Sequence, residues 1–478
     1  MSVTKIAHPS VEERRAHGKA ARERALPASH AGWTPAADRP DPIALLEEQN
    51  ATREPDLVPV RHGRMMVSPF TFYRGAAKIM AADLKDTPDA GLTAQLCGDA
   101  HLSNFGVFAS PERTLLFDLN DFDETLPGPF EWDVKRMAAS FTIAARNNGF
   151  TAAEAHDATL RSVQSYRERM AELAQMGTME IWYARLSEAD LMNAIDTATR
   201  AAKGAEKKAE AKSAEKRARR TADKARTHDS LQALSKLAEL VDGQYRIVSQ
   251  PPIVVPVREM AAAYGFSAED VEHALREQFR GYRATLQDDR RHLLERFQLV
   301  DVARKVVGVG SVGTRAFIAL LQGRDQQDPL FLQVKEATRS VLEDHLPKSR
   351  YHQPGERVVQ GQRLMQAASD IYLGWTKGVQ DNRFLYWRQL RDMKGSAVIE
   401  ELTPNGLDFY AHICGQTLAR AHARSGDPIA MSAYLGKKDR FDQSIADFSE
   451  RYADQNERDY EAFCQAVRAG RLAAIEGV

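Results

Sequence analysis

Hydrophobic positions along this chain change period from segment to segment. LTAQLCGD (92–99) is a short apolar run that predicts a buried strand leading into a loop. After it, FGVFA and TLLFDL flank Ser110-Pro111-Glu112-Arg113, which predicts a hairpin. From 131 to about 300 the apolar residues fall mostly at helical spacing, most clearly in GFTAAEAHDATLRSVQSYRERMAEL (149–173). Near 300 the text turns rich in Val, Gly and turn residues, and DVARKVVGVGSVGTRAFIALLQGRDQQDPLFLQVKEA (301–337) reads as a set of strands. DNRFLYWRQLRDMKG (381–395) adds a strand with a polar exit. LDFYAHICGQTLARAHARS (407–425) and most of the tail return to helix.

Ahead of these, residues 1–60 show weak periodicity and predict an extended or loosely helical arm. Within it DPIALLEEQNATR (41–53) predicts a short helix, with Asp41 as cap and Pro42 at its first position. FYRGAAKIMAADLKD (72–86) predicts another helix. No internal repeat is present.

Composition narrows the classes. The chain has 478 residues, long enough for two or three packed units, and 43% are hydrophobic, ample for a core. Lys plus Arg is 65 and Asp plus Glu is 66, a balance that gives no global attraction to nucleic acid or anionic membrane. The segment KGAEKKAEAKSAEKRARRTADKAR (203–226) is basic. Acidic residues interleave there and no aromatic residue is present to stack on bases, so a solvated helix is expected and nucleic acid is not an expected partner. No run of about 18 apolar residues exists, so no membrane span is expected. The N-terminus lacks an apolar signal region. Cys97, Cys414 and Cys464 are far apart and form no CxxC pair, which fits a reducing, cytoplasmic setting.

Two clusters carry chemistry. In the first, CGDAHLSN (97–104) precedes FDLNDFDE (117–124) across the predicted hairpin. A carboxylate next to an Asn, with a second carboxylate a hairpin away, can deprotonate a hydroxyl and hold Mg²⁺ between phosphate oxygens. Asp99 is the expected base, Asn104 a metal ligand, and Asp121 the main metal ligand, with Asp123 or Asp118 as substitutes. His101 is expected to shape the loop. The second cluster is Val307-Gly308-Val309-Gly310-Ser311-Val312-Gly313-Thr314. It fits a dinucleotide-binding βαβ turn, with AFIALLQG as helix and Glu336 as ribose acid. It also fits a glycine-rich turn folded over ATP phosphates, with Gly308, Gly310, Ser311, Gly313 and Thr314 in the turn and Lys335 as the strand lysine. The second reading is preferred because it gives residues 97–123 a purpose.

These residues carry a resemblance. CGDAHLSN is similar to the HGDxHxxN loop of aminoglycoside phosphotransferases and choline kinases, with Cys97 in place of the leading His. Asp121-Phe122-Asp123-Glu124 resembles their metal-binding segment, and GPFEWDVKRMAAS (128–140) resembles the helix start that follows, with Asp133 as its structural Asp. SPFTFYRGAA, CGDAHLSNFG, NDFDETLPGPFEWDVKR and QRLMQAASDIYLGW also resemble the bacterial family called domain of unknown function 2252. The order departs from ordinary kinases: the catalytic and metal loops come first, and the glycine turn and Lys335 follow. CGQTLARAHARSGD (414–427) resembles the helix that normally precedes the catalytic loop.

The resemblance therefore implies an α+β, protein-kinase-like two-lobed fold, circularly permuted. Its parts would be an arm at 1–60, a helical lobe at 61–300, a β-rich nucleotide lobe at 301–395, and helices at 396–478 that pack back on the helical lobe. It implies a hinge at Arg388-Gln389-Leu390-Arg391, where Gln389 and Leu390 would read adenine. Glu343 and Glu356 are candidate partners for Lys335, and Arg74, close to the catalytic loop in sequence, is a candidate either to bind phosphate or to pair with an acid. The implied activity is ATP- and Mg²⁺-dependent phosphoryl transfer to a hydroxyl on a small acceptor. The alternatives are a nucleotide-binding pseudokinase, AMP transfer and, from the glycine cluster alone, an NAD-linked oxidoreductase.

Overall fold

The computed structural model describes residues 8–201, 216, 219–220, 222–227, 230–263, 267–306, 308, 310–378, 383–390 and 393–477. The basic segment 203–226 falls largely outside them, as do Val307, Val309 and Arg391.

The fold mixes helices with antiparallel strands, in line with the α+β expectation. Its centre is the helix Phe130–Asn147, buried on every side from Phe130 to Ala145. A helix apolar or buried all round belongs inside a fold, and three others enclose this one. Ala152–Leu173 starts on a capping box between Thr151 and Glu154. Pro404–Ala423 starts on Thr403 with Pro404 at its first position, and Arg440–Arg468 closes the bundle. Pro404–Ala423 lies tight along Ala152–Leu173: a Cβ on Gly415 would stand 2.2 Å from the Ser162 carbonyl oxygen. The C-terminal helices thus pack against the first half of the chain.

The N-terminal arm is more ordered than its weak periodicity suggests. Ser10 and Glu13 form a capping box for the helix Val11–Arg24, and Asp41 accepts from the Ile43 and Ala44 N–H groups to start Pro42–Asn50. The single helix expected at 72–86 is two, Pro69–Gly75 and Ala77–Leu84. Ala76 leaves helical geometry (φ −105°, ψ 28°) directly after a glycine, a weak helix former.

Strands β1 (Thr93–Leu96) and β4 (Leu126–Pro129) pair antiparallel, and β2 (Phe105–Ala109) pairs with β3 (Leu115–Leu119) as the expected hairpin. A second hairpin, β5 (Ala238–Val241) and β6 (Gln244–Ile247), interrupts a stretch read as helical. Its turn is Asp242-Gly243, both at positive φ, a pair of residues that favours hairpins.

The main sheet has β7 (Val254–Pro256), β8 (Gln298–Lys305), β9 (Ala316–Gln322), β10 (Pro329–Glu336), β11 (Gly374–Lys377) and β12 (Phe384–Gln389). Its spatial order is β11-β12-β10-β9-β8-β7, antiparallel at every pairing. The glycine turn joins β8 to β9, and the helix Pro354–Met365 lies in the crossover from β10 to β11. Side chains on β10 alternate between faces. Leu332 and Val334 pack with Trp387, Phe279 and Tyr282, while Phe331 packs with Ile318, Leu320, Leu234 and Leu237 on the other face. Lys335 shares the parity of Phe331. Among the described residues no helix is long and apolar enough to cross a membrane.

Candidate active site

The loop after β1 is held from below by one carboxylate. Asp133, in the first turn of Phe130–Asn147, accepts from the Cys97 N–H at 2.8 Å and the Gly98 N–H at 3.0 Å. His422, on Pro404–Ala423, lies 3.3 Å from the same carboxylate. Gly98 has φ +83°, and a Cβ there would stand 2.3 Å from the Glu124 carbonyl oxygen, so this position requires glycine. The Asn104 side-chain amide donates to the Asp99 carbonyl at 2.7 Å and closes the loop on itself.

Asp99 projects from this frame. Arg136 Nε donates to its Oδ1 at 2.8 Å, and Arg136 in turn donates to the Tyr73 carbonyl at 2.8 Å. Burial pushes the Asp99 carboxyl up, against the pull of Arg136, to about 6. His101 Nε2 is 3.7 Å from Asp99, and burial holds the imidazole well below its ordinary value, so it is neutral at pH 7.

The acidic segment after β3 assigns different work to each carboxylate. Asp118 is buried, accepts from the Ala367 and Leu119 N–H groups and pairs with Arg420. It fastens β3 to Pro404–Ala423 and has no capacity for a metal, contrary to its expected role as a substitute ligand. Asp123 is also occupied: Oδ2 accepts from Lys335 Nζ at 2.7 Å and Oδ1 from the Tyr386 hydroxyl at 2.6 Å. Burial raises its carboxyl, but Lys335 and Tyr386 outweigh that and hold it below the usual range. Asp121 accepts from the Asp123 N–H at 3.1 Å and lies 4.0 Å from Lys335 Nζ. With its side chain 31% exposed, it is the carboxylate with room for a cation.

Lys335 reaches this segment from the sheet. Register places it opposite Tyr386 and places Gln333 opposite Arg388, so these four side chains share a face. Arg388 donates to Gln333 at 3.0 Å and to the Asn120 carbonyl at 3.1 Å. The glycine turn sits beside them. Ser311 Oγ is 3.4 Å from Asp123, and Thr314 Oγ1 donates to the Ser311 carbonyl at 2.8 Å. The N-terminal region grips the turn: Arg64 donates to the Gly308 carbonyl at 2.6 Å, Glu54 N–H to Gly313 at 2.7 Å, and Arg53 to Val312. Gly310 packs next to the Arg74 carbonyl, 3.4 Å from where a Cβ would stand. Gly308 and Gly313 have positive φ. The turn links two antiparallel strands, so AFIALLQG is strand β9 and the helix of a dinucleotide βαβ unit is absent here. Glu336, the expected ribose acid, pairs with Arg315 and Arg383.

Three other expectations change. Neither Glu343 nor Glu356 meets Lys335. Glu343 lies 4.0 Å from Arg357, and Glu356 sits in the first turn of Pro354–Met365, beside the inward-facing Arg357. Arg357 donates to the carbonyls of Thr125, Asp123 and Thr338, at 2.6, 2.7 and 2.9 Å, so a cation stands where an acid was expected. At the expected hinge the Gln389 N–H donates to Asp370 and the Leu390 N–H to the Phe331 carbonyl at 3.0 Å, so neither amide donor is open to an adenine edge. Sequence reasoning gives no site role to Arg136, Arg357, Asp370 or Tyr386, and gives Arg388 only a place in the hinge. Arg136, Asp370 and Tyr386 lie within quoted segments, and only the packing brings them to the site.

Among the described residues no group of three His, Cys, Asp or Glu side chains could hold a metal ion alone. Mg²⁺ needs less, since it keeps waters and binds through one or two carboxylates plus substrate phosphates. Asp121 and the Asn104 amide are hard-oxygen donors of that kind. The sequence profile of a family described as uncharacterized protein conserved in bacteria (DUF2252) matches residues 53–466. No curated protein and no solved structure matches the chain.

Proposed function

We propose that the chain, which belongs to this DUF2252 family, is an ATP- and Mg²⁺-dependent phosphotransferase acting on a hydroxyl of a small acceptor. One observation carries the reading: Lys335, one strand beyond the glycine turn, reaches Asp123 at 2.7 Å and Asp121 at 4.0 Å, joining the two chemical clusters in one place. Two further features support it. From the glycine turn to β12, the order of turn, lysine strand, helix and last strand follows the kinase order, while the loops at 99–121 precede it in the chain. The late helix Pro404–Ala423 meets Asp118 through Arg420, and through His422 it meets Asp133, which holds the loop at 97–98, an arrangement that fits a circular permutation.

Asp99 accepts the acceptor's hydroxyl proton. The freed oxygen bonds to the γ-phosphorus, the bond from that phosphorus to the β–γ bridging oxygen breaks, and ADP leaves with the electron pair. Asp121 and Asn104 would hold the Mg²⁺, which neutralises charge between phosphate oxygens. Lys335 and the N–H groups of the turn take the remaining phosphate charge.

A second reading, nucleotide binding without turnover, draws on the occupied amide donors of Gln389 and Leu390 and on Arg388 beside Gln333. One experiment separates the readings: melting temperature with Mg²⁺-ATP, ATP plus EDTA, and NAD, with ADP release measured in parallel. Stabilisation by Mg²⁺-ATP that falls with EDTA, with ADP release lost in Asp99→Asn, supports phosphotransfer. Stabilisation without ADP release supports the second reading, and stabilisation by NAD alone overturns both.

A further inference from the structure

The arginines around this site are nearly all satisfied. Arg136 holds Asp99 and the Tyr73 carbonyl, Arg53 the Val312 carbonyl, and Arg61 the Gly75 carbonyl with Asn50 and Gln49. Arg357 and Arg388 bind the backbone of the acidic segment. Arg74 differs in that, among the described residues, none of its N–H groups makes a hydrogen bond or ion pair; its Nε is buried without a partner, as are those of Arg53, Arg61 and Arg357, and its guanidinium lies 6.0 Å from the Phe70 ring.

Its position gives that vacancy meaning. Arg74 lies in the last turn of the helix Pro69–Gly75, its carbonyl faces Gly310 of the glycine turn, and its neighbour Tyr73 anchors Arg136 and through it Asp99. The acids whose charge reaches it, Glu400 and Asp99, form no ion pair with it: Asp99 is engaged with Arg136 and Glu400 stands at the surface. A guanidinium carries five N–H donors in a fork that fits an oxyanion.

We infer that Arg74 receives an oxyanion carried by the acceptor, so that the substrate is an anionic hydroxyl compound bearing a phosphate or carboxylate. This rests on the phosphotransferase reading and deepens it. Choline and the aminoglycosides are cations, and Arg74 repels a cation placed beside Asp99, so the acceptor class departs from that of the families the loops resemble.

The test titrates inorganic phosphate into the full chain, alone and saturated with Mg²⁺-ADP, for wild type, Arg74→Met and Arg74→Lys. Melting curves verify that each variant is folded. The expected result is phosphate binding about tenfold or more weaker in Arg74→Met, the scale of one charge-assisted contact, and partly restored in Arg74→Lys. Equal binding in wild type and Arg74→Met, or no binding to wild type, overturns the inference. Mg²⁺-ADP is titrated separately. If it fails to bind while phosphate still depends on Arg74, the nucleotide reading falls and the anion site stands. If it binds and phosphate does not depend on Arg74, only the anion site falls.

Discussion

Lys335 and Asp123, 212 positions apart in sequence, meet at 2.7 Å with the lysine 3% exposed. Burial alone would pull the lysine down, yet the facing carboxylates of Asp121 and Asp123 hold it charged well above its ordinary range. The pair ties β10 to the acidic segment and sets Lys335 beside both Asp121 and Asp123.

Removing one partner of such a pair strands the other charge. Lys335→Met leaves Asp123 with Tyr386 alone and is expected to destabilise the protein by about 3 kcal/mol, the low end for a broken buried pair because Asp123 keeps some exposure. Adding Asp123→Asn to Lys335→Met should recover part of that loss. Urea unfolding of both singles and the double closes the cycle, and strictly additive losses would show that the pair is not coupled.

Asp99 sets opposite pH trends for activity and stability. Its native carboxyl titrates at about 6, above the unfolded value of 3.8. The native state therefore holds the proton more tightly. The stability this gives is full below pH 4 and is lost as pH rises through 6, about 3 kcal/mol in all. As the proposed base, Asp99 would act only when ionised, so turnover should rise through the same window. Asp99→Asn should remove the acid limb of turnover and flatten stability between pH 4 and 6. An unchanged stability slope in that variant would assign the titration elsewhere.

The sequence shows some of this site and hides the rest for identifiable reasons. The spacing of Asp99, Asn104 and Asp121, and the Gly-rich turn before Lys335, are local patterns, so they are readable. Asp121 and Asp123 are two positions apart and chemically identical; only the fold decides that Asp123 turns to Lys335. Arg357 stands where an acid was sought because its carbonyl partners lie up to 234 positions away. The strands 301–337 showed in their Val and Gly content. The β5–β6 hairpin carried its Asp242-Gly243 signal but lay inside a long stretch of helical spacing that masked it.

Asp133 acts through the loop it supports. Asp133→Ala leaves the Cys97 and Gly98 amides without their acceptor and should cost about 4 kcal/mol, since each unsatisfied buried donor costs about 1–3. Asp133→Asn keeps one acceptor oxygen and should lose about half as much. Thermal and urea unfolding rank the two. If Ala and Asn are equally mild, the loop is held by other contacts.

Asp121 is the residue where function and stability part. Its side chain is partly exposed, it accepts from the Asp123 N–H, and Lys335 stands off at 4.0 Å. Asp121→Asn keeps an oxygen for that N–H and leaves the Lys335–Asp123 pair in place, so stability should stay within about 1 kcal/mol of wild type. The amide is a far weaker Mg²⁺ ligand than the carboxylate. ADP release at saturating ATP should fall by on the order of a hundredfold or more, the scale of losing one preorganised electrostatic contact, and the Mg²⁺ needed for half-maximal rate should rise. Asp123→Asn reverses the pattern, with a clear loss of stability because Lys335 is stranded. A magnesium titration of ADP release on both variants, beside their urea curves, decides the assignment. Should Asp123→Asn rather than Asp121→Asn shift the magnesium midpoint, the metal is held by the inner carboxylate, and the Lys335 pair must open when the nucleotide binds.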